Sequence, residues 1–162
     1  MSTDPTTAVP IDFAAAMARY EEQAQRRAAL EPATAEFNKN ALFDALRPLG
    51  ITGVEVTFDG YGDSGQIEGI AIIGLDGPTL EPPAGEVEMR QVLHDGSGVT
   101  SEIMDLPRAI EHICYDLLSS HHSGWENNDG AYGDFVFDVG ANAITYTHNS
   151  RYTEVDTSSY EL

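Results

Sequence analysis

At Gly53 the hydrophobic period of the chain changes, and that change constrains the fold more than any other feature. Before it, apolar residues recur at helical spacing. After it, Val54, Val56 and Phe58 alternate with Glu55, Thr57 and Asp59, which predicts a strand with one apolar and one acidic face. A chain that passes from helix to half-buried strand must lay the apolar side of a sheet against helices.

The helical part starts at Asp12, a candidate N-cap, and carries Phe13, Met17, Tyr20 and Ala24 on one side as far as Leu30. Glu31-Pro32 predicts a break, because the residue before proline is pushed out of the α region. A second helix with Phe37, Ala41, Leu42, Ala45, Leu46 and Leu49 then closes at Pro48 and Gly50. The two are expected to form a helical hairpin.

The first strand turns at residues 61–65 into a second, Ile67 to Ile73. A third alternates Val87, Met89, Gln91 and Leu93 and ends at Asp95-Gly96-Ser97-Gly98. Asp105 is the expected cap of a helix with Pro107 in its first turn. Its stripe is Ile110, Ile113, Cys114, Leu117 and Leu118, and Gly124 is its left-handed stop. Phe135, Phe137 and Val139 then alternate with Val136 and Asp138, and Gly140-Ala141-Asn142 turns the chain into Ile144, Tyr146 and His148. The expected fold is α+β, in the order ααβββαββ. An antiparallel sheet of about five strands has its helices on one face, and Glu55, Asp59, Glu68 and Asp138 make the other face acidic. Residues 1–10 read as a mobile tail and 11–162 as a single domain.

Charge limits the choice of partner. The 162 residues hold 27 acids against 8 Lys and Arg, a net charge of −19. Residues 1–50 contribute seven acids and five bases, whereas 51–162 contribute twenty acids and three bases. Such a surface repels nucleic acid and anionic lipid and favours a basic protein. Cys114, the lone cysteine, falls within an apolar stripe and reads as a small buried hydrophobe. Neither a leader-like basic and apolar start nor a membrane-length apolar run is present, so a soluble, cytoplasmic protein is expected.

The residues richest in chemistry run from His121 to Asp138, with the only tryptophan, two histidines and four acids. Asp129-Gly130-Ala131-Tyr132-Gly133-Asp134 nearly repeats Asp59-Gly60-Tyr61-Gly62-Asp63. If the two lie side by side, their four carboxylates converge into a divalent-cation site or an acidic recognition surface. The other reading is turn chemistry alone, with Asp-Gly supplying unusual backbone angles. His121 and His122, with Asp129 and Asp134, are the alternative metal ligands. Their spacing is not that of a zinc helix, and histidines in a last helical turn also serve the free carbonyls there. Trp125 either folds back on the core or stands out as an aromatic anchor.

The segments Phe58 to Ile67, Cys114 to Leu118, Gly124 to Phe135 and His148 to Tyr152 resemble an uncharacterised bacterial family, also carried by plasmids and phages, that shares a Gly-Trp-Glu-Asn-Asn-Asp-Gly-Ala-Tyr-Gly core. The resemblance spans about residues 37–155. It implies that the 124–133 loop is a family signature and suggests a role in modulating a host nucleic-acid system; it implies no catalytic activity. The first functional expectation is therefore a non-enzymatic acidic protein that occupies a basic, nucleic-acid-handling partner, as a DNA mimic against a restriction or CRISPR system would. It would use Glu55, Asp59, Asp63, Glu68, Trp125, Glu126, Asp129, Asp134 and Asp138, with no cofactor. The alternative is a metal-dependent hydrolase or cation-binding protein built on the Asp-Gly-Tyr segments and the His121–Asp129 loop.

Overall fold

The computed structural model describes residues 12–61, 64–79, 81–122, 124 and 129–162. The expected tail at 1–10, Asp63, Trp125 and Glu126 lie outside them. In chain order the elements are helix α1 (Phe13–Leu46), a 3-10 turn (Arg47–Leu49), strands β1 (Ile51–Tyr61), β2 (Ser64–Gly74), β3 (Gly77–Thr79), β4 (Glu86–Val92) and β5 (Val99–Asp105), helix α2 (Leu106–His121), and strands β6 (Ala131–Asp138) and β7 (Ala143–Ser150).

The helical hairpin is corrected to one continuous helix of 34 residues that runs through Pro32. Asp12 caps it, its carboxylate accepting the Ala15 N–H at 3.1 Å. Proline leaves the Ala28 carbonyl without its usual donor, but contacts on both sides carry the helix through that point. On the N-terminal side the β4–β5 turn sits against it, since a Cβ added at Gly96 would lie 2.6 Å from the Arg26 Cβ and 2.9 Å from the Gln23 carbonyl. On the C-terminal side Thr34, Asn38, Leu42, Phe43 and Leu46 are buried. Tertiary packing overrides the local break. Gly50, at φ 75, then ends the helical stretch and starts β1.

The strands also exceed the sequence expectation. Five form an antiparallel sheet in the order β3-β2-β1-β6-β7, while β4 pairs with β5 in a separate two-stranded ribbon. The third expected strand is therefore real but belongs to the ribbon. Strand β5 shows little alternation because Met104 alone among its residues is buried. The free edge of β4 is closed by a side chain: Asn38 of α1 donates to the Arg90 carbonyl at 2.8 Å and accepts the Arg90 N–H at 2.7 Å. Its amide imitates a neighbouring strand, and it is itself buried.

Within the large sheet the alternation read at β1 sets the register. Val54 lies between Ile72 and Phe137, Val56 between Ile70 and Phe135, and Phe58 between Ile67 and Gly133. These inward residues share one core with Leu42, Phe43 and Leu46 of α1 and Ala109, Ile110, Ile113, Cys114 and Leu118 of α2. Phe43 meets Phe137 edge to face, with ring centres 6.2 Å apart. Helix α2 is capped as its sequence predicts, with Asp105 accepting the Arg108 N–H at 2.9 Å. Cys114 is fully buried, and desolvation pushes its thiol well above the ordinary range, so it is an inert packing group.

Candidate functional site

The antiparallel pairing of β1 with β6 brings the two near-repeats together, with Asp59 opposite Tyr132 and Gly60 opposite Ala131. They are neighbouring strands, not neighbouring turns. Asp59 and Asp134 share the outward face because Thr57, two residues from Asp59 and on its side of the strand, is the partner of Asp134. Their carboxylates are nevertheless engaged differently. Arg151 donates to Asp59 at 2.6 Å and to the carbonyls of Gly60 and Ala131 at 3.2 and 3.3 Å, and its guanidinium lies 4.7 Å from the Tyr132 ring centre. The hydrogen bond from Arg151 holds the Asp59 carboxyl below its usual range. Asp129 accepts the Thr153 hydroxyl at 2.7 Å. Among the described residues, no group of three or more His, Cys, Asp and Glu is arranged to hold a metal ion.

The outward face is consequently less uniform than an unbroken acidic sheet. Glu55 is exposed between Ala71 and Val136, and Asp134 stands between Thr57 and Thr147. Asp138 is exposed at the β6–β7 turn, where it accepts the Ala141 N–H at 3.0 Å. Glu68 does not continue the row. It is the extra residue where Thr57 pairs with Gly69 and Phe58 with Ile67, a β-bulge in β2. Hence, among the described residues, Glu55, Asp134 and Asp138 stand without an ion-pairing base, while Asp59 is neutralised by Arg151.

The inward side of the same sheet end carries a cluster that sequence reasoning did not single out. His122, the residue that ends α2, stacks on His148 of β7 with ring centres 3.5 Å apart and planes 8° from parallel. The Tyr146 hydroxyl lies 3.1 Å from His122 Nδ1 and 2.5 Å from His148 Nδ1. One hydroxyl proton can serve only one of these nitrogens, so the other must carry its own proton and donate. Tyr146 stacks on Phe135 at 4.6 Å, and desolvation raises its hydroxyl to about 12. Desolvation and the neighbouring His122 both lower the pKa of His148. Among the described residues, His121 meets the ring of Tyr146, at 5.9 Å between centres, and makes no hydrogen bond to its hydroxyl. Of the two adjacent histidines, His122 alone thus enters the arrangement that fastens the start of the 123–130 connection to β7.

Gly133 shows why this place tolerates so little change. A Cβ there would overlap the Thr147 carbonyl oxygen and lie 2.9 Å from the Phe58 ring, whose centre is 5.7 Å from that of His148. A second link joins α2 to the bulge, the Tyr115 hydroxyl accepting the Ile67 N–H at 3.1 Å. All four segments that carried the resemblance therefore touch: Phe58–Ile67 meets Gly133, His148, Arg151 and Tyr115. The signal that could have revealed this was the presence of Phe58, Gly133, His148 and Arg151 in separate motifs, but contacts so distant in sequence have no local period.

Comparison with curated proteins and with solved structures finds no match. Comparison with protein families matches residues 34–162, which include the C-terminal part of α1 and everything that packs on it. The chain belongs to a family of unknown function, DUF6878.

Proposed function

We propose that this protein is a non-enzymatic acidic ligand for a basic protein surface, one that ordinarily holds nucleic acid. The observation that supports the reading is the fate of the three bases in residues 51–162. Arg90 lies 3.6 Å from the Phe37 ring centre, Arg108 pairs with Glu102 at 2.8 Å, and Arg151 is tied to Asp59. Each is spent within the domain, against twenty acids in the same stretch. The excess negative charge is left for solvent or a partner.

The outward sheet face supplies the geometry. Asp134 and Asp138 are four residues apart on β6, roughly 13 Å, and Glu55 of β1 pairs with Val136 midway between them, so the three carboxylates form a group that a basic groove built for phosphates can engage. Glu55, Asp134 and Asp138 are the contact acids in this reading, with Asp59 a structural member. On a mobile element such a protein would compete with DNA or RNA for a restriction or CRISPR effector.

The test is capture from host lysate followed by competition. Bound protein should be basic, released by moderate salt and displaced by duplex DNA. A Glu55→Gln, Asp134→Asn, Asp138→Asn variant should keep its melting temperature and lose capture. Capture that resists salt and DNA, or that survives the three substitutions, removes this reading.

A further inference from the structure

Beneath β2, on the side of the sheet that faces the helices, we infer a binding site for a small free primary alkylamine, its ammonium held between Glu68 and Glu111 and its aliphatic stem laid against isoleucine and proline. This goes beyond the proposed function and uses none of its contact acids. A cavity of about 290 Å³ opens there, bounded by β2, the β3–β4 connection and the start of α2. That volume is at the low end for a small-molecule site, so a ligand of few atoms fits. Ile67, Ile70 and Ile72 form the β2 wall, on the inward side beside Phe58, Val56 and Val54. Glu55, Asp134 and Asp138 are on the outward side, so a partner held by them does not reach the cavity.

The chemistry of the walls selects the ligand. Strand β3 pairs with β2 only over Ile72–Gly74, so among the described residues the edge of β2 before Ile72 has no strand beside it, and the Tyr115 hydroxyl takes the Ile67 N–H. Across the cavity stand Pro82 and Pro83, which have no N–H to give. A ligand that brings donors suits such walls, and an ammonium brings three donors and no acceptor. The β-bulge supplies one carboxylate, because it takes Glu68 out of the outward row and that residue lines the cavity. Helix α2 supplies the other from Glu111, one turn beyond Pro107 on the same side. Among the described residues neither glutamate is in an ion pair; Arg151, whose charge Glu68 influences, is held by Asp59. No aromatic ring among the described residues lines the cavity, so quaternary ammonium and guanidinium groups, which gain from stacking, have no advantage there.

The probe is n-butylammonium, added as its chloride to the full chain with labelled isoleucine methyls and followed by NMR. Saturable shifts should appear at Ile67, Ile70 and Ile72 and not at Ile51 or Ile144, with a dissociation constant on the order of 1 mM for so few atoms. Uncharged n-butanol should bind about tenfold more weakly, and Glu68→Gln and Glu111→Gln should weaken the amine about threefold each and about tenfold together. Unchanged Ile51 and Ile144 signals show that the variants are folded. The proposal is overturned by an absence of shifts, by shifts that spread equally to Ile51 and Ile144, by butanol binding as tightly as the amine, or by a double variant that binds like the parent. A Gly-Lys-Gly peptide capped at both ends should bind more weakly than the free amine, because its backbone has no place in a cavity of this size. A peptide that binds as tightly or more tightly would assign the cavity to a lysine side chain of another protein and overturn the free-ligand reading.

Discussion

The sheet end where Phe58, Gly133, His148 and Arg151 meet and the first part of α1 are held in opposite ways. At the sheet end four stretches from across the chain converge, Gly133 leaves no room for a methyl group, and hydrogen bonds join Tyr146 to His122 and His148 and Arg151 to Asp59. Along the start of α1 the side chains face solvent, and only helical period and an N-cap dictate the sequence. The former fixes residue identity through packing, the latter only residue class. Conservation of the kind a family signature implies belongs where substitution meets backbone, whereas variation is cheap where it meets water.

The most severe test of that difference is Gly133→Ala. The added Cβ must displace the Thr147 carbonyl and the Phe58 ring, so β7 or β1 has to move, and a loss above about 4 kcal/mol is expected. A denaturant midpoint within experimental error of the parent would show that the sheet end is looser than its geometry.

Pro32 marks the boundary between the two regimes. If the start of α1 frays, Pro32 becomes the first residue of the remaining helix, a position that suits it. Pro32→Ala should extend protection across the boundary and stabilise the helix by about 1–3 kcal/mol. Hydrogen exchange reads this directly: amides of 14–31 should exchange much faster than those of 38–46 in the parent, and the gap should narrow in the variant. Equal protection throughout in the parent would erase the contrast.

A smaller effect comes from titration. His148 has a folded-state pKa below the ordinary 6.5, so the unfolded chain takes up the proton more readily. Its contribution is complete above 6.5 and is lost as pH falls below that value. Asp59, also lowered, contributes above 3.8 and is lost in stronger acid. The melting temperature should therefore fall in two stages on acidification. His148→Asn should remove the first and Asp59→Asn the second, the latter at some loss of stability because Arg151 loses its partner. The least change is expected from Tyr20→Ala, within about 0.5 kcal/mol, because its side chain faces solvent.

How much of this was legible in the sequence depended on whether a residue's neighbours were near it in the chain. Val54, Val56 and Phe58 announced their burial by alternation, and Asp105, Pro107 and the Ile110–Leu118 stripe announced α2, because a strand face and a helix face are local patterns. Pro32 misled because its local rule is real but weaker than the Gly96 contact and the Leu42 core that span it. Strand β5 hid because it buries one residue. The near-repeat at 59 and 129 does mark two adjacent strands, yet its acids do not converge among the described residues, since Arg151, twenty residues beyond Ala131, claims Asp59 first. Nothing local to Arg151 could have said so.

The place of β1 in the middle of the sheet has a consequence for the order of events during synthesis. Its partner on one side, β2, follows at once, but its partner on the other, β6, arrives about eighty residues later, where Val54 finally meets Phe137. Until then the emerging chain carries a two-stranded hairpin with one side of Val54, Val56 and Phe58 bare, and at roughly 5–20 residues per second that interval lasts several seconds. The glutamate and aspartate interleaved along β1 then have a task before any partner is met: they keep an unfinished hairpin from adding to its neighbours on the polysome.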